Sequence, residues 1–318
     1  MFDLNKSQIT NLFEFHEAVE RIRHAYIASA EGNVQTANVG HLGFPDANGD
    51  CHIKSGHIEG TASYVIKIAS GFYNNPSVGL PTSNGMMLAF SAQTGETLAI
   101  LRDEGWLTDM RTAIGGALAT RALARADATR VLIVGAGIQA RLQATCLAQL
   151  MPERALEFHI WGRNASAAKV AATELNDLGL TVQVASNLDA EVGAADIIVT
   201  TTTATAPLFA DGLVRNGTHV TAIGADSPGK QELPTDLVGS ASLRVCDMAR
   251  QSLEHGEFQS AKRADASLEA VELGHILSGA RTGRTSDDDI TVVDLTGIAA
   301  QDIAITQAII DAAASTNA

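Results

Sequence analysis

The chain has 318 residues, 46% of them apolar and 18% charged, which excludes a disordered or fibrous protein and allows two ordinary hydrophobic cores. Its 22 Lys and Arg stand against 36 Asp and Glu, and the resulting net charge of −14 argues against nucleic acid or an anionic membrane surface as a partner. Cys51, Cys146 and Cys246 lack zinc or disulfide spacing, the amino terminus carries no basic stretch leading into an apolar core, and no apolar run approaches about 18 residues; a cytoplasmic protein without a membrane segment is expected.

In chain order, residues 10–31 place Phe13, Val19, Ile22, Tyr26 and Ile27 at helical spacing and stop at Gly32, which predicts one amphipathic helix. Between His52 and Phe90 the pattern becomes β-rich, with runs at 63–69 and 86–91 separated by turn clusters such as Asn74-Asn75-Pro76. A twisted sheet follows from that. Lys67 interrupts the otherwise buried run Ser63-Tyr64-Val65-Ile66-Lys67-Ile68-Ala69, and a buried ammonium needs an anionic partner, a role open to a substrate. Lys54 lies in the strand-like His52-Ile53-Lys54-Ser55, and Arg111 opens a connecting helix expected over 112–126. Each of the three cations reads equally as a surface charge or a member of an internal salt bridge.

Beyond that helix, strand-like runs at 130–134, 157–161, 181–185, 196–201, 219–223 and 290–295 alternate with helical stretches. This is the pattern of an α/β domain with a mostly parallel, doubly wound sheet. The segment Val131-Leu132-Ile133-Val134-Gly135-Ala136-Gly137-Ile138-Gln139-Ala140 is a buried strand followed by G-x-G-x-x-A and a helix, the Rossmann dinucleotide fingerprint. Gly135 allows the tight turn, Gly137 lets the backbone approach a pyrophosphate, and Ala140 permits close helix packing. The helix N-terminus then offers amide groups and a positive dipole to the phosphates. The second strand ends in Gly162-Arg163-Asn164, with no acid for the ribose hydroxyls; Arg163 suits a 2′-phosphate, so NADPH is favoured slightly over NADH. Ile138, Gln139, Gly162, Asn164, Thr201 and Thr202 complete the expected cofactor contacts of this domain. Asp226 follows the strand at 219–223, where ligands bind in such sheets; it suits proton exchange with a substrate nitrogen, or a turn cap. Asp294 has the same two readings. The nine histidines form no ligand cluster, so no catalytic metal is expected, and the Ala-rich tail after Ile310 is expected to fray.

These pieces together resemble the ornithine cyclodeaminase and mu-crystallin family: the Lys67 strand, Gly79-Leu80-Pro81-Thr82, Leu107-Thr108-Asp109-Met110-Arg111-Thr112-Ala113, the fingerprint with Arg141, the loop from Gly224 to Lys230, and Asp294-Leu295-Thr296-Gly297. The likeness spans nearly the whole chain, and on Gly71 to Pro76 and Asp294 to Asp302 it looks closest to the branch found in ectoine utilisation. The resemblance implies a homodimer with a substrate and dimerisation domain over 1–112 and 300–318 and an inserted Rossmann domain over 113–299. It also implies that Lys67 and Arg111 hold a substrate carboxylate, that Asp226 handles the proton on nitrogen, and that Thr82 and Thr112 lie near the cofactor. In two places the chain departs from the cyclodeaminase pattern: Lys54 stands where that pattern has Glu, and an Arg is missing from the segment Val34 to Asn38. A lysine cannot attract the distal ammonium of ornithine.

The expectation is therefore an NAD(P)H-dependent reductase of a small α-imino acid. Lys54 adds a positive charge that suits a second carboxylate, which makes iminosuccinate, giving aspartate, the preferred substrate. Two alternatives stand beside it: a cyclodeaminase-type lyase that recycles its NAD, and a non-catalytic mu-crystallin-like binding protein.

Overall fold

A computed structural model describes residues 1–210 and 212–316. In chain order its elements are β1 (Phe2–Asn5), α1 (Lys6–Leu12), α2 (Phe15–Ala30), β2 (Val34–Thr36), β3 (Gly40–Phe44), β4 (Gly49–Ile58), β5 (Ser63–Phe72), β6 (Ser83–Ser91), β7 (Thr97–Arg102) and α3 (Trp106–Leu123). They continue with β8 (Arg130–Val134), α4 (Ile138–Leu150), β9 (Glu157–Trp161), α5 (Ala165–Asp177), β10 (Thr181–Val184), α6 (Leu188–Ala194), β11 (Ile197–Thr200) and β12 (His219–Ala222). The last are α7 (Thr235–Ser240), β13 (Leu243–Cys246), α8 (Ala249–His255), α9 (Gln259–Ala264), β14 (Val271–Glu272), α10 (Leu273–Leu277), β15 (Thr291–Asp294) and α11 (Ala299–Thr316). Among the described residues no helix is long and apolar enough to cross a membrane.

The chain divides into two compact units, one of Met1–Arg111 together with the stretch from Ile298 onward, the other of Thr112–Gly297. The sequence reading set these cuts after residues 112 and 299; residues 317 and 318, which it gave to the first domain and to the frayed tail, lie outside the described residues.

The first unit is a seven-stranded sheet in the order β1-β7-β6-β5-β4-β2, with β3 added on β4; β1 pairs parallel to β7 and the other pairings are antiparallel. α11 packs on β4, β5 and α2. Its first two turns are covered on all sides, residues 299–306 being all buried, while Asp311 and residues 314–316 reach water. The single helix expected over 10–31 is two helices. α1 starts in a capping box between Asn5 and Gln8 and ends at Leu12; Phe13 turns extended, and its ring packs edge-on against Trp106 at 5.0 Å between centroids. Apolar periodicity runs straight through that break and cannot reveal it.

The second unit is an eight-stranded sheet in the order β10-β9-β8-β11-β12-β15-β13-β14, every pairing parallel. Residues 131–134 of β8 and 197–199 of β11 have no exposed surface, as central strands covered on both faces require. Strand order reverses between β8 and β11, the switch point at which doubly wound sheets bind their ligands. β13 and β14 were not foreseen. In β13, Arg244 interrupts the apolar run, and its guanidinium leaves the core to donate to the carbonyls of Gly239 and Ala241. α3 begins six residues earlier than expected, because the Asp103 carboxylate accepts the Leu107 amide at 2.8 Å and starts the helix there.

Candidate active site

In the first unit, the register of β4 through β7 puts Lys54, Lys67, Met87 and Leu101 on one rung and hence one face of the sheet. Two lysines directly opposite each other repel, and Lys67 is only 2% exposed. Burial first, then the charges of Arg111 and Lys54, press the Lys67 ammonium down to about 7. Asp302, on α11, makes the arrangement tolerable. Its oxygens lie 3.1 and 2.9 Å from Lys67 Nζ, and Arg111 Nε is 3.1 Å from Oδ1. Burial alone raises the Asp302 carboxyl, but the attraction of Lys67, Arg111 and Lys54 outweighs it and holds the group below its ordinary value. Beside it, Gln301 accepts from Arg111 Nη1 at 3.1 Å and from the Ile298 amide at 3.2 Å, and donates to the Arg111 carbonyl at 3.0 Å.

Lys54, Lys67 and Arg111, singled out separately from the sequence, are thus brought together, with Lys54 half-buried and the other two buried. Within the chain the anionic partner of Lys67 is Asp302, which is the internal salt bridge that the sequence left open beside a substrate. Asp302 and Gln301 were missed, although they interrupt the apolar run Ala299 to Ile305 as Lys67 interrupts its strand. Asp103 is also buried; burial pushes its carboxyl up, against the pull of the Leu107 amide and of Lys67. Thr82 lies just before β6, partly exposed, its carbonyl accepting the Phe72 amide.

In the second unit, the expected cofactor residues sit after three neighbouring strands: Gly135, Gly137, Ile138 and Gln139 after β8, Gly162, Arg163 and Asn164 after β9, Thr201 and Thr202 after β11. Gly135 has φ +134°, and a Cβ there would strike Thr201 Oγ1 at 2.1 Å, so the turn needs glycine for both conformation and space. Gly137 differs. Its backbone is ordinary (φ −83°), and a Cβ would meet nothing within 4 Å. It caps α4 with no side chain bonded to the first turn, which leaves the helix N-terminus to a ligand. A dinucleotide pyrophosphate fits this cradle, which a Cβ would partly fill. Arg163 is exposed, whereas Asn164 commits its side-chain oxygen to the Ala167 amide as the cap of α5. Thr112, the first residue of this unit, accepts from Gln143 through its carbonyl at 3.4 Å.

The acids at the strand ends separate into two kinds. Asp226, after β12, pairs with Lys230 at 2.6 Å and is partly exposed. Asp294 is fully buried; its carboxylate accepts from Ser252 and from the Glu257 amide, and burial raises it well above its ordinary value, so it serves the framework. Glu232, also buried, accepts the Thr202 amide at 2.6 Å and the Gly224 amide at 2.8 Å, tying together the loops that follow β11 and β12.

Fold and cradle define a dinucleotide-dependent enzyme of the NAD(P)-linked oxidoreductase class. A family model described as the ornithine cyclodeaminase/mu-crystallin family matches residues 2–317, and the chain belongs to that family. Three solved structures superpose over its full length. An archaeal alanine dehydrogenase dimer with bound NAD gives a TM-score of 0.89 at 29% identity, with 97% of its own chain covered. The Delta(1)-pyrroline-2-carboxylate reductase of Thermococcus litoralis, in complex with NADH and L-proline, gives 0.91 at 25% identity and 98%. The iminosuccinate reductase of Paracoccus denitrificans, in complex with NAD+, gives 0.87 at 28% identity and 97%.

Proposed function

We propose that the chain is an NAD(P)H-dependent reductase of a small α-imino acid, with iminosuccinate, giving aspartate, as the substrate. The observation that carries this reading is the convergence of two buried cations, Lys67 and Arg111, with Lys54 directly across the strand from Lys67. Lys67 and Arg111 hold the α-carboxylate, and Lys54 meets a second one. A reduced nicotinamide bound in the second unit supplies the hydride equivalent for the C=N bond. The nitrogen must gain a proton as the bond is reduced, and Asp226, with Lys67 sharing the task, supplies it. Lys67 suits this because its ammonium titrates near neutrality.

Thr82 and Thr112 stand near the cofactor in this scheme, and the assembly is a homodimer, as the alanine dehydrogenase neighbour is. Arg163 in place of an acid supports NADPH as reductant, whereas the neighbours were solved with NAD or NADH. The ratio of KM values for NADPH and NADH decides between them. Three cations around the site disfavour the distal ammonium of ornithine, so the lyase reading ranks second.

The test is reductive amination of a panel of 2-oxo acids with ammonia, including oxaloacetate and pyruvate, together with preformed cyclic imines, each with NADH and NADPH. Fastest oxidation of the cofactor with oxaloacetate supports the proposal. Ammonia release from ornithine without change in nicotinamide absorbance overturns it in favour of the lyase, and failure of the whole panel favours a binding protein.

A further inference from the structure

α11 carries one carboxylate, Asp302, into the buried interior of the first unit, and that group lies against both buried cations at once. Asp302 is 2% exposed, lies 235 residues from Lys67 in the chain, and reaches its Nζ with both oxygens. The same carboxylate forms an ion pair with Arg111, its Oδ1 3.1 Å from Nε, while the neighbouring Gln301 accepts from Arg111 Nη1 and donates to the Arg111 carbonyl. Arg111 is thereby held by one ion pair and by hydrogen bonds to Gln301 through its guanidinium and its carbonyl. A lysine and an arginine this deeply buried do not stay beside each other without an anion.

We propose that Asp302 is a positioning residue that locks Lys67 and Arg111 into one arrangement. The groups that act on Asp302 are Lys67 on β5, Arg111 on α3 and Lys54 on β4; Asp103, before α3, acts on Lys67. In the function proposed above, the α-carboxylate of the substrate joins Asp302 on Lys67 and Arg111, and Lys54 faces the second carboxylate. The substrate part of this inference rests on the function proposed above; the positioning part does not.

The two parts separate in one experiment. The protein is labelled with 13C at lysine Cε, Lys67 is identified by its loss in Lys67→Met, and its titration is followed by NMR in the wild type, Asp302→Asn and Asp302→Glu, with no turnover required. Without the carboxylate the Lys67 midpoint falls by at least one pH unit, and the glutamate variant restores it to within half a unit. An unchanged midpoint in Asp302→Asn overturns the proposal. Should Asp302→Asn fail to fold, the double variant Lys67→Met/Asp302→Leu recovers at least half of the lost melting temperature; no recovery overturns the proposal as well. In the wild type, added succinate raises the Lys67 midpoint because a second anion enters the set. Absence of that rise, with the Asp302→Asn shift intact, removes the dicarboxylate substrate and spares the positioning role. In the kinetic arm, Asp302→Asn lowers kcat/KM at least tenfold and moves the alkaline limb of its pH profile, where Lys67 loses its proton, to lower pH, a displacement that a purely structural role would not produce.

Discussion

Two clusters of buried charge, one in each unit, are built in opposite ways. In the first, Lys67 and Arg111 are held by a counter-ion, Asp302. In the second, the buried acids Glu232, Glu257 and Asp294 have, among the described residues, no cation as a bonded partner. They accept backbone amides and hydroxyls, and desolvation raises all three, Glu257 to about 8. A buried carboxyl held by amides and hydroxyls is a strut; cations gathered around one carboxylate are a candidate receptor. The difference explains why the same chemical class of group is framework in one unit and candidate machinery in the other.

Lys67→Met strikes the receptor and should have the largest effect. The kcat/KM for the imine that the wild type reduces is expected to fall by about 10^3-fold or more, the range found when a group that acts on the reacting atoms is removed. Steady-state kinetics check it, and a loss under tenfold removes Lys67 from the chemistry. Gly137→Val strikes the cradle. Because the space beside Gly137 is open, the fold should survive while cofactor Kd rises about 10^2-fold, as expected from filling a close backbone approach to phosphate; an unchanged Kd by fluorescence titration means that no pyrophosphate lies there.

Much of this contrast was legible in the sequence, and the rest was not for a physical reason. The cradle is local: strand, glycine turn and helix are contiguous, so their spacing announces them. Lys67 showed itself as a charge inside a strand. Asp302 is equally anomalous, but it falls in the first turn of α11, where an acid complements the helix dipole and looks ordinary. Its partner is 235 residues away, and no local pattern joins them. β14 has two residues, too few for any period, and the gap at Phe13 is fixed by Trp106 from a distant segment.

Smaller effects sharpen the comparison. Lys54→Ala should cost dicarboxylate over monocarboxylate imines about 10-fold to 10^2-fold in relative kcat/KM, since a half-buried charge pair contributes about 1–3 kcal/mol; an unchanged ratio removes Lys54 from specificity. The pH response should differ in sign between the units. Glu257 is protonated in the fold up to about pH 8 but titrates near 4.5 when unfolded, so its contribution is complete below 4.5 and is lost as pH rises to 8. Lys67 runs the other way: its folded value of about 7 lies below the unfolded 10.5, so its contribution grows as pH rises from 7 to 10.5. Glu257→Gln should remove up to about 1.4 kcal/mol per pH unit of slope between pH 5 and 8, read by denaturant unfolding, and leave the alkaline gain. An unaltered slope would mean that Glu257 is ionised in the fold.

The division of labour between the units is tested most directly by calorimetric titration of NADH and NADPH into Lys67→Met. The tighter of the two cofactors should bind that variant within twofold of its wild-type Kd, because the cation receptor takes no part in holding the dinucleotide. A tenfold weakening would contradict the separation, placing Lys67 in the cofactor site instead of the substrate's.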